Sequence, residues 1–193
     1  MERGKVILLN GVSSSGKTTL SKILQARFFD QYFLLPVDII NEISPQKNSR
    51  SYDVRFKADP KPVMSAFFGC VKVFSDNGLN VIVDTIFAKH AHCALENCLD
   101  VFPDCNYPVL FVHVTCPLEE LRRREKERGD RKIGWGESLL PKLDPQDMYD
   151  ISVDTYNNTN EKCADQIIAF MRYREKHTAF KTLWLQRSKP VNE

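Results

Sequence analysis

The chain has 193 residues, of which 42% are hydrophobic and 27% charged, the balance of a folded globular protein and not of a disordered tract. Its 27 basic and 25 acidic side chains leave a formal net charge of +2, which gives no general attraction to nucleic acid or to a membrane surface. The length suits a single domain over residues 1–193, with room for a small lid.

The apolar run 5–10 (KVILLN) predicts a strand within a few residues of the N-terminus, with no signal-like or membrane-spanning stretch before or after it. A cytoplasmic location is therefore expected. Directly after this run, Gly11, Val12, Ser13, Ser14, Ser15, Gly16, Lys17 and Thr18 form the pattern G-x-x-x-x-G-K-S/T, and a helix is predicted over 17–29. Strand, glycine-rich loop and helix in that order make a phosphate-binding loop. Its glycines let backbone N–H groups turn inward around a polyphosphate, and the helix N-terminus adds to the attraction. Lys17 would neutralise the β- and γ-phosphates, and Thr18 would offer its hydroxyl to Mg²⁺. A Gly/Ser turn with an exposed lysine has the same letters, but not the same flanks.

The next apolar run predicts a strand over 33–37 that ends at Asp38. A carboxylate at the carboxyl end of a strand beside the phosphate loop could accept the proton of an attacking hydroxyl, or simply cap the following helix. Residues 44–61 are polar and turn-rich, and a helix is predicted over 62–75, stopped by Asp76-Asn77-Gly78. A third strand over 79–84 closes on Asp84, placed to hold Mg²⁺ or its water shell, with helix capping as the alternative.

Beyond it, His90, His92, Cys93, Cys98 and Cys105 lie close together, but their spacing matches no standard zinc module. An amphipathic helix over 89–100 is the simpler reading. The six cysteines, which include Cys70, Cys116 and Cys163, contain no C-x-x-C pair and read mostly as small core residues. A strand over 109–114 and a helix over 117–128 follow, with Pro117 in the tolerated first turn.

That helix carries the strongest basic concentration, Arg122-Arg123-Arg124-Glu125-Lys126-Glu127-Arg128, then Gly129-Asp130-Arg131. Arg122 and Arg123 read as a solvated face, whereas Arg128 and Arg131 are placed to clamp a transferring phosphoryl group. The Gly- and Pro-containing segment 129–148 could be a mobile lid, with an ordinary surface loop as the alternative. A last strand over 149–153 and a helix over 160–174 precede a C-terminal extension, 173–193, that carries Phe180, Leu183, Trp184 and Leu185. It should pack against the domain or against a partner. The alternation predicts an α/β fold with a five-stranded parallel sheet covered on both faces.

Four blocks in this order, LLNGVSSSGKTTL, VDIINEISP, VIVDTIF, and RGDRKIG followed by YDISVDT, resemble the chloramphenicol phosphotransferase-like small-molecule kinases, from about Lys5 to Ile168. The resemblance implies a P-loop kinase fold of the nucleoside-monophosphate-kinase type, a three-layer α/β/α arrangement with a small lid. It also implies ATP as donor, Mg²⁺, and the hydroxyl of a small molecule as acceptor. In that reading Asp38 is the general base, Arg128 and Arg131 lie at the phosphate side of the lid, and Thr155 approaches the base side of the nucleotide. The sequence departs from the pattern at Thr85, where a second acid is expected, and at Leu139 and Asp144, where Gln and His are expected. These positions, with Phe87 and Trp135, become candidates for acceptor contacts. A nucleoside, nucleotide or sugar-nucleotide kinase of the same fold, and a non-catalytic ATP-binding module acting through the Trp184-bearing tail, are the alternatives.

Overall fold

Short runs rich in Val, Ile and Leu pair into a wholly parallel five-stranded sheet in the order β2-β3-β1-β4-β5. The strands are β1 (Val6–Asn10), β2 (Tyr32–Pro36), β3 (Asn80–Thr85), β4 (Val109–Thr115) and β5 (Ile151–Asp154). The structure, a computed structural model, describes residues 2–28, 30–43, 60–87, 95–129, 133–140 and 148–187. Around the sheet run α1 (Lys17–Arg27), α2 (Ile39–Ile43), α3 (Pro60–Asp76), α4 (Leu95–Val101), α5 (Leu118–Arg128), α6 (Trp135–Leu139), α7 (Asn160–Phe170) and α8 (Ala179–Arg187).

Because helices cover both faces, the central strands are buried at nearly every position and do not alternate. Ile7, Leu9, Ile82 and Val112 pack on α1 and α7 through Leu20, Leu24, Cys163 and Ile167. Val6, Leu8, Val83 and Phe111 pack on α3, α4 and α8 through Met64, Phe68, Leu99 and Phe180. Helix ends follow charge as well as packing. The first turn of α5 holds Glu119 and Glu120 and its last turn Lys126 and Arg128, which complements the helix dipole, and Gly129 ends it at φ +65°.

The predicted strands agree with the observed ones to within about two residues, the usual uncertainty of helix and strand ends. The largest shift is at β5, which begins at Ile151, just after Asp150. Its carboxylate accepts the N–H of Phe111 at 2.8 Å, and those of Thr178 and Ala179 at 2.7 and 2.8 Å. One side chain thus joins β4 to the start of α8. The helix predicted over 160–174 ends at Phe170, and α4 is described only from Leu95. His90, His92 and Cys93, most of the polar segment 44–61, and the lid residues 130–132 and 141–147 lie outside the described residues.

The described part of the C-terminal extension, up to residue 187, packs on the domain. Phe180 and Leu183 enter the α3/α4 face, and the Trp184 indole N–H donates to the Phe102 carbonyl at 2.9 Å. Arg187 lies over the Trp184 ring and pairs with Asp100 at 2.7 Å. Cys98, Cys116 and Cys163 are buried, as expected of small core residues, whereas Cys70 is exposed and Cys105 half-buried. Among the described residues no helix is long and apolar enough to cross a membrane.

Replacing Asp150 with Ala removes an ionised acceptor from three backbone N–H groups, so a loss of about 3 kcal/mol of stability is expected. Urea unfolding checks the size of the loss, and faster proteolysis within 177–187 checks that α8 is what loosens.

Candidate active site

The loop between β1 and α1 folds as its sequence demands. A Cβ on Gly11 would collide with the Val114 carbonyl oxygen, and Gly16 sits at φ +94°, so neither position accommodates another residue without strain. Ser14 also adopts a left-handed conformation, at φ +64°. This costs a non-glycine residue about 1 kcal/mol and persists where the surroundings enforce it. Ser13, Ser14 and Ser15 are all buried, and the hydroxyl oxygens of Ser14 and Ser15 have no hydrogen-bond partner. Orphaned hydroxyls in a glycine-framed loop at a helix N-terminus fit the oxygens of a polyphosphate.

At the start of α1, the buried Lys17 donates through Nζ to the Val12 carbonyl at 2.9 Å and lies 3.9 Å from Asp84. Thr18 Oγ1 donates to Asp84 Oδ2 at 2.7 Å. Strand register delivers Asp84 to this point, since it pairs with Leu9 on β1 and with Pro36 on β2. A hydroxyl and a carboxylate in contact beside the loop are a suitable oxygen donor set for Mg²⁺.

Asp38 follows β2 and is exposed. The Val37 N–H donates to the Asp84 carbonyl at 2.8 Å, which fixes the strand end carrying Asp38 beside the end of β3. The Asp38 carbonyl accepts the Asn41 N–H at 2.9 Å and so starts α2. Arg128 is exposed at the end of α5, and Arg131 lies outside the described residues. Thr155 is buried beneath the loop, its Oγ1 donating to the Ser15 carbonyl at 2.7 Å. Its visible role is therefore to hold the loop backbone.

Arg124, which the sequence reading left without a role, is the principal contact between α5 and the loop. Its Nη1 donates to the Ser14 carbonyl at 3.3 Å and to Thr155 Oγ1 at 3.1 Å, and its Nη2 to the Thr155 carbonyl at 2.9 Å. Glu120 accepts from Arg124 Nε at 2.7 Å and from Arg123 Nε at 2.7 Å. The hydrogen bonds from Arg123 and Arg124 hold the Glu120 carboxyl down at about 2. Only the four-residue spacing from Arg124 to Arg128 hinted at this in the sequence. Arg122 and Arg123 are exposed as expected, although Arg122 also forms a forked pair with Glu137 of α6 at 2.7 and 3.0 Å.

On the sheet face away from α1, the ends of β3, β1 and β4 place Thr85, Asn10 and His113 side by side in register. All three are buried. Asn10 donates to the Tyr149 hydroxyl at 2.6 Å and accepts the Phe87 N–H at 2.7 Å, while His113 stacks on the Tyr149 ring at 4.5 Å. Burial lowers the His113 pKa, and neither its Nδ1 nor Thr85 Oγ1 has a partner. Phe87, expected to touch the acceptor, is instead fully buried between Phe68 and Phe111. Leu139 packs with Val12, Cys116 and Leu121, and Trp135 is exposed at the start of α6. Asp144 lies outside the described residues.

Sheet order, phosphate loop and the Thr18–Asp84 contact define a P-loop kinase fold. The chain matches the family described as chloramphenicol phosphotransferase-like protein over residues 4–172, and it belongs to that family. It is 31% identical over 176 residues to a Mycobacterium tuberculosis (strain H37Rv) protein named "Putative O-phosphotransferase", covering 80% of this chain and 76% of that one. It is 24% identical over 179 residues to the adenylyl-sulfate kinase of Clostridium acetobutylicum, covering 89% and 84% of the two chains. Among solved structures, the Mycobacterium tuberculosis APS kinase CysC in complex with AMPPNP and APS superposes with a TM-score of 0.68 at 18% identity, covering 89% of this chain and 99% of that one. Family and relatives together indicate a kinase-type phosphotransferase.

The Glu120 carboxyl lies below its ordinary 4.5 when folded, so it contributes stability that is complete above that ordinary value and is lost as pH falls through the folded value. Glu120→Gln should therefore lower the melting temperature at pH 7, with the gap from wild type shrinking below about pH 4.5 and closing near pH 2. Melting curves across pH 2–7 check this.

Proposed function

We propose that the protein transfers the γ-phosphoryl group of ATP to a hydroxyl group of a small molecule. The observation that carries this reading is the cluster of Lys17, Thr18 and Asp84 under the phosphate loop, with Asp38 on the strand end tied to Asp84 through the Val37 N–H. The candidate base thus follows the strand next to the one that ends at Asp84, at the carboxyl edge of the sheet, where α/β folds bind their ligands. The name of the Mycobacterium tuberculosis relative supports transfer to oxygen, and the nucleotide analogue in the APS kinase complex supports a nucleotide donor.

In this mechanism Gly11 to Thr18 wrap the β- and γ-phosphates, and Lys17 exchanges the Val12 carbonyl for their oxygens. Thr18 and Asp84 would hold Mg²⁺, directly or through water, and the ion when bound supplies charge neutralisation at the phosphates. Asp38 accepts the proton of the acceptor hydroxyl as its oxygen bonds to the γ-phosphorus and the bond to the β–γ bridging oxygen breaks. Arg128 and Arg131 balance the charge that spreads over the equatorial oxygens. The adenylyl-sulfate kinase relative favours, as a second reading, an acceptor hydroxyl carried on a nucleotide.

Labelled ATP supplied with a panel of sugars, nucleosides, nucleotides and hydroxylated antibiotics tests both readings. Asp38→Asn should lower the transfer rate by about 100-fold or more while MgADP affinity stays within about twofold. Lys17→Ala should lose about tenfold or more in MgADP affinity as well as transfer. Full transfer by Asp38→Asn would remove the base assignment, and tight MgADP binding without transfer to any acceptor would favour a non-catalytic ATP-binding module.

A further inference from the structure

Among the described residues of the segment 129–148, the start of α6 is fastened to α5, and one buried carboxylate holds two of its backbone N–H groups. Glu125 is 1% exposed although it sits in a run of charged residues. Its Oε2 accepts the Gly134 N–H and its Oε1 the Gly136 N–H, both at 2.7 Å. Two charge-assisted hydrogen bonds from one buried side chain hold the start of α6 at a fixed distance from α5.

At that distance α6 touches the phosphate loop itself. A Cβ on Gly136 would stand 2.9 Å from the Ser13 carbonyl oxygen and 3.0 Å from Glu125 Oε1, so only glycine fits the gap. Leu139 follows on the same short helix and packs with Val12 of the loop, and with Leu121 and Cys116. Ser13 is also the residue before the left-handed Ser14, whose carbonyl is held by Arg124. Neighbouring residues of α5, Arg124 and Glu125, therefore restrain consecutive peptides of the loop, one directly and one through α6.

The geometry points to Glu125 as a positioning residue for nucleotide binding: through α6 it keeps the Ser13 carbonyl turned outward, and so the N–H groups of the strained loop turned inward. This rests on the phosphate loop binding a nucleotide, as proposed above. No proton moves and Glu125 does not touch the nucleotide. Its effect is to make the binding conformation the resting one, which saves the cost of ordering the loop when phosphate arrives.

Titration calorimetry with MgADP tests this on the full chain. Glu125→Gln replaces one acceptor oxygen by an amide that opposes a backbone N–H, and Gly136→Ala drives a methyl toward the Ser13 carbonyl and leaves Glu125 unchanged. Each should raise the MgADP Kd by about tenfold or more, and the double variant by little more than either alone, because both break the same contact. In the wild type, amide hydrogen exchange within 133–140 should slow when MgADP is bound. A Kd within about twofold of wild type in either folded variant overturns the proposal, even if that variant melts earlier, because a purely structural brace would move only the melting temperature. Exchange within 133–140 that MgADP leaves unchanged also overturns it. Failure of the wild type to bind MgADP removes the nucleotide reading itself and the proposal with it, a result distinct from unaltered affinity in the variants.

Discussion

A loop that turns its N–H groups inward must turn its carbonyls outward, and those carbonyls need donors. Leaving a buried polar group unsatisfied costs about 1–3 kcal/mol, so the outer surface of the loop constrains everything packed around it. The Val12 carbonyl is taken by Lys17 Nζ, that of Ser14 by Arg124 and that of Ser15 by Thr155. The Ser13 carbonyl is faced by Gly136. The three donors come from α1, α5 and the turn after β5, and α6 packs against the loop at Ser13, so elements far apart in sequence converge on one eight-residue segment. The phosphate loop is local as a motif but not as a structure.

The alternation of a strand then separates two tasks on adjacent residues. Asp84 turns to the α1 side, where it accepts from Thr18, and Thr85 turns to the opposite face, level with Asn10 and His113. One peptide of β3 thus separates the Lys17–Thr18–Asp84 cluster from a buried polar row on the other face of the sheet. Thr85 therefore lies apart from the Lys17–Thr18–Asp84 cluster, in the row that ends in the unpartnered Thr85 Oγ1 and His113 Nδ1.

The strands, the loop and Asp84 were legible in the sequence because their signals are local: apolar runs, glycine spacing and a carboxylate at a strand end. Phe87 was misread for the opposite reason. Two residues past β3 it looked like loop, but its N–H is held by Asn10 from β1 and its ring fills the space between Phe68 and Phe111. Arg124 and Glu125 were hidden within a charge run, which usually marks a solvated face. Their partners, Thr155 and Gly136, lie 31 and 11 residues away. No pattern of nearby residues could assign them. Asp150 was hidden in the same way, because the backbone groups it serves belong to β4 and α8.

Helix α5 illustrates how such a run is divided. Arg123 pairs with Glu127 on the outer side, where ion pairs between exposed groups add little stability, and it also donates to the buried Glu120. Arg124 and Glu125 point inward and are spent on backbone groups, with Glu120 orienting Arg124 from behind. Removing a charge from the outer set leaves its partner in water, whereas removing one from the inner set strands a buried donor or acceptor beside the phosphate loop. Two neighbouring residues of similar polarity on one helix thus differ in consequence by where their partners lie, and in α5 those partners are the backbone of the loop and the segment that covers it.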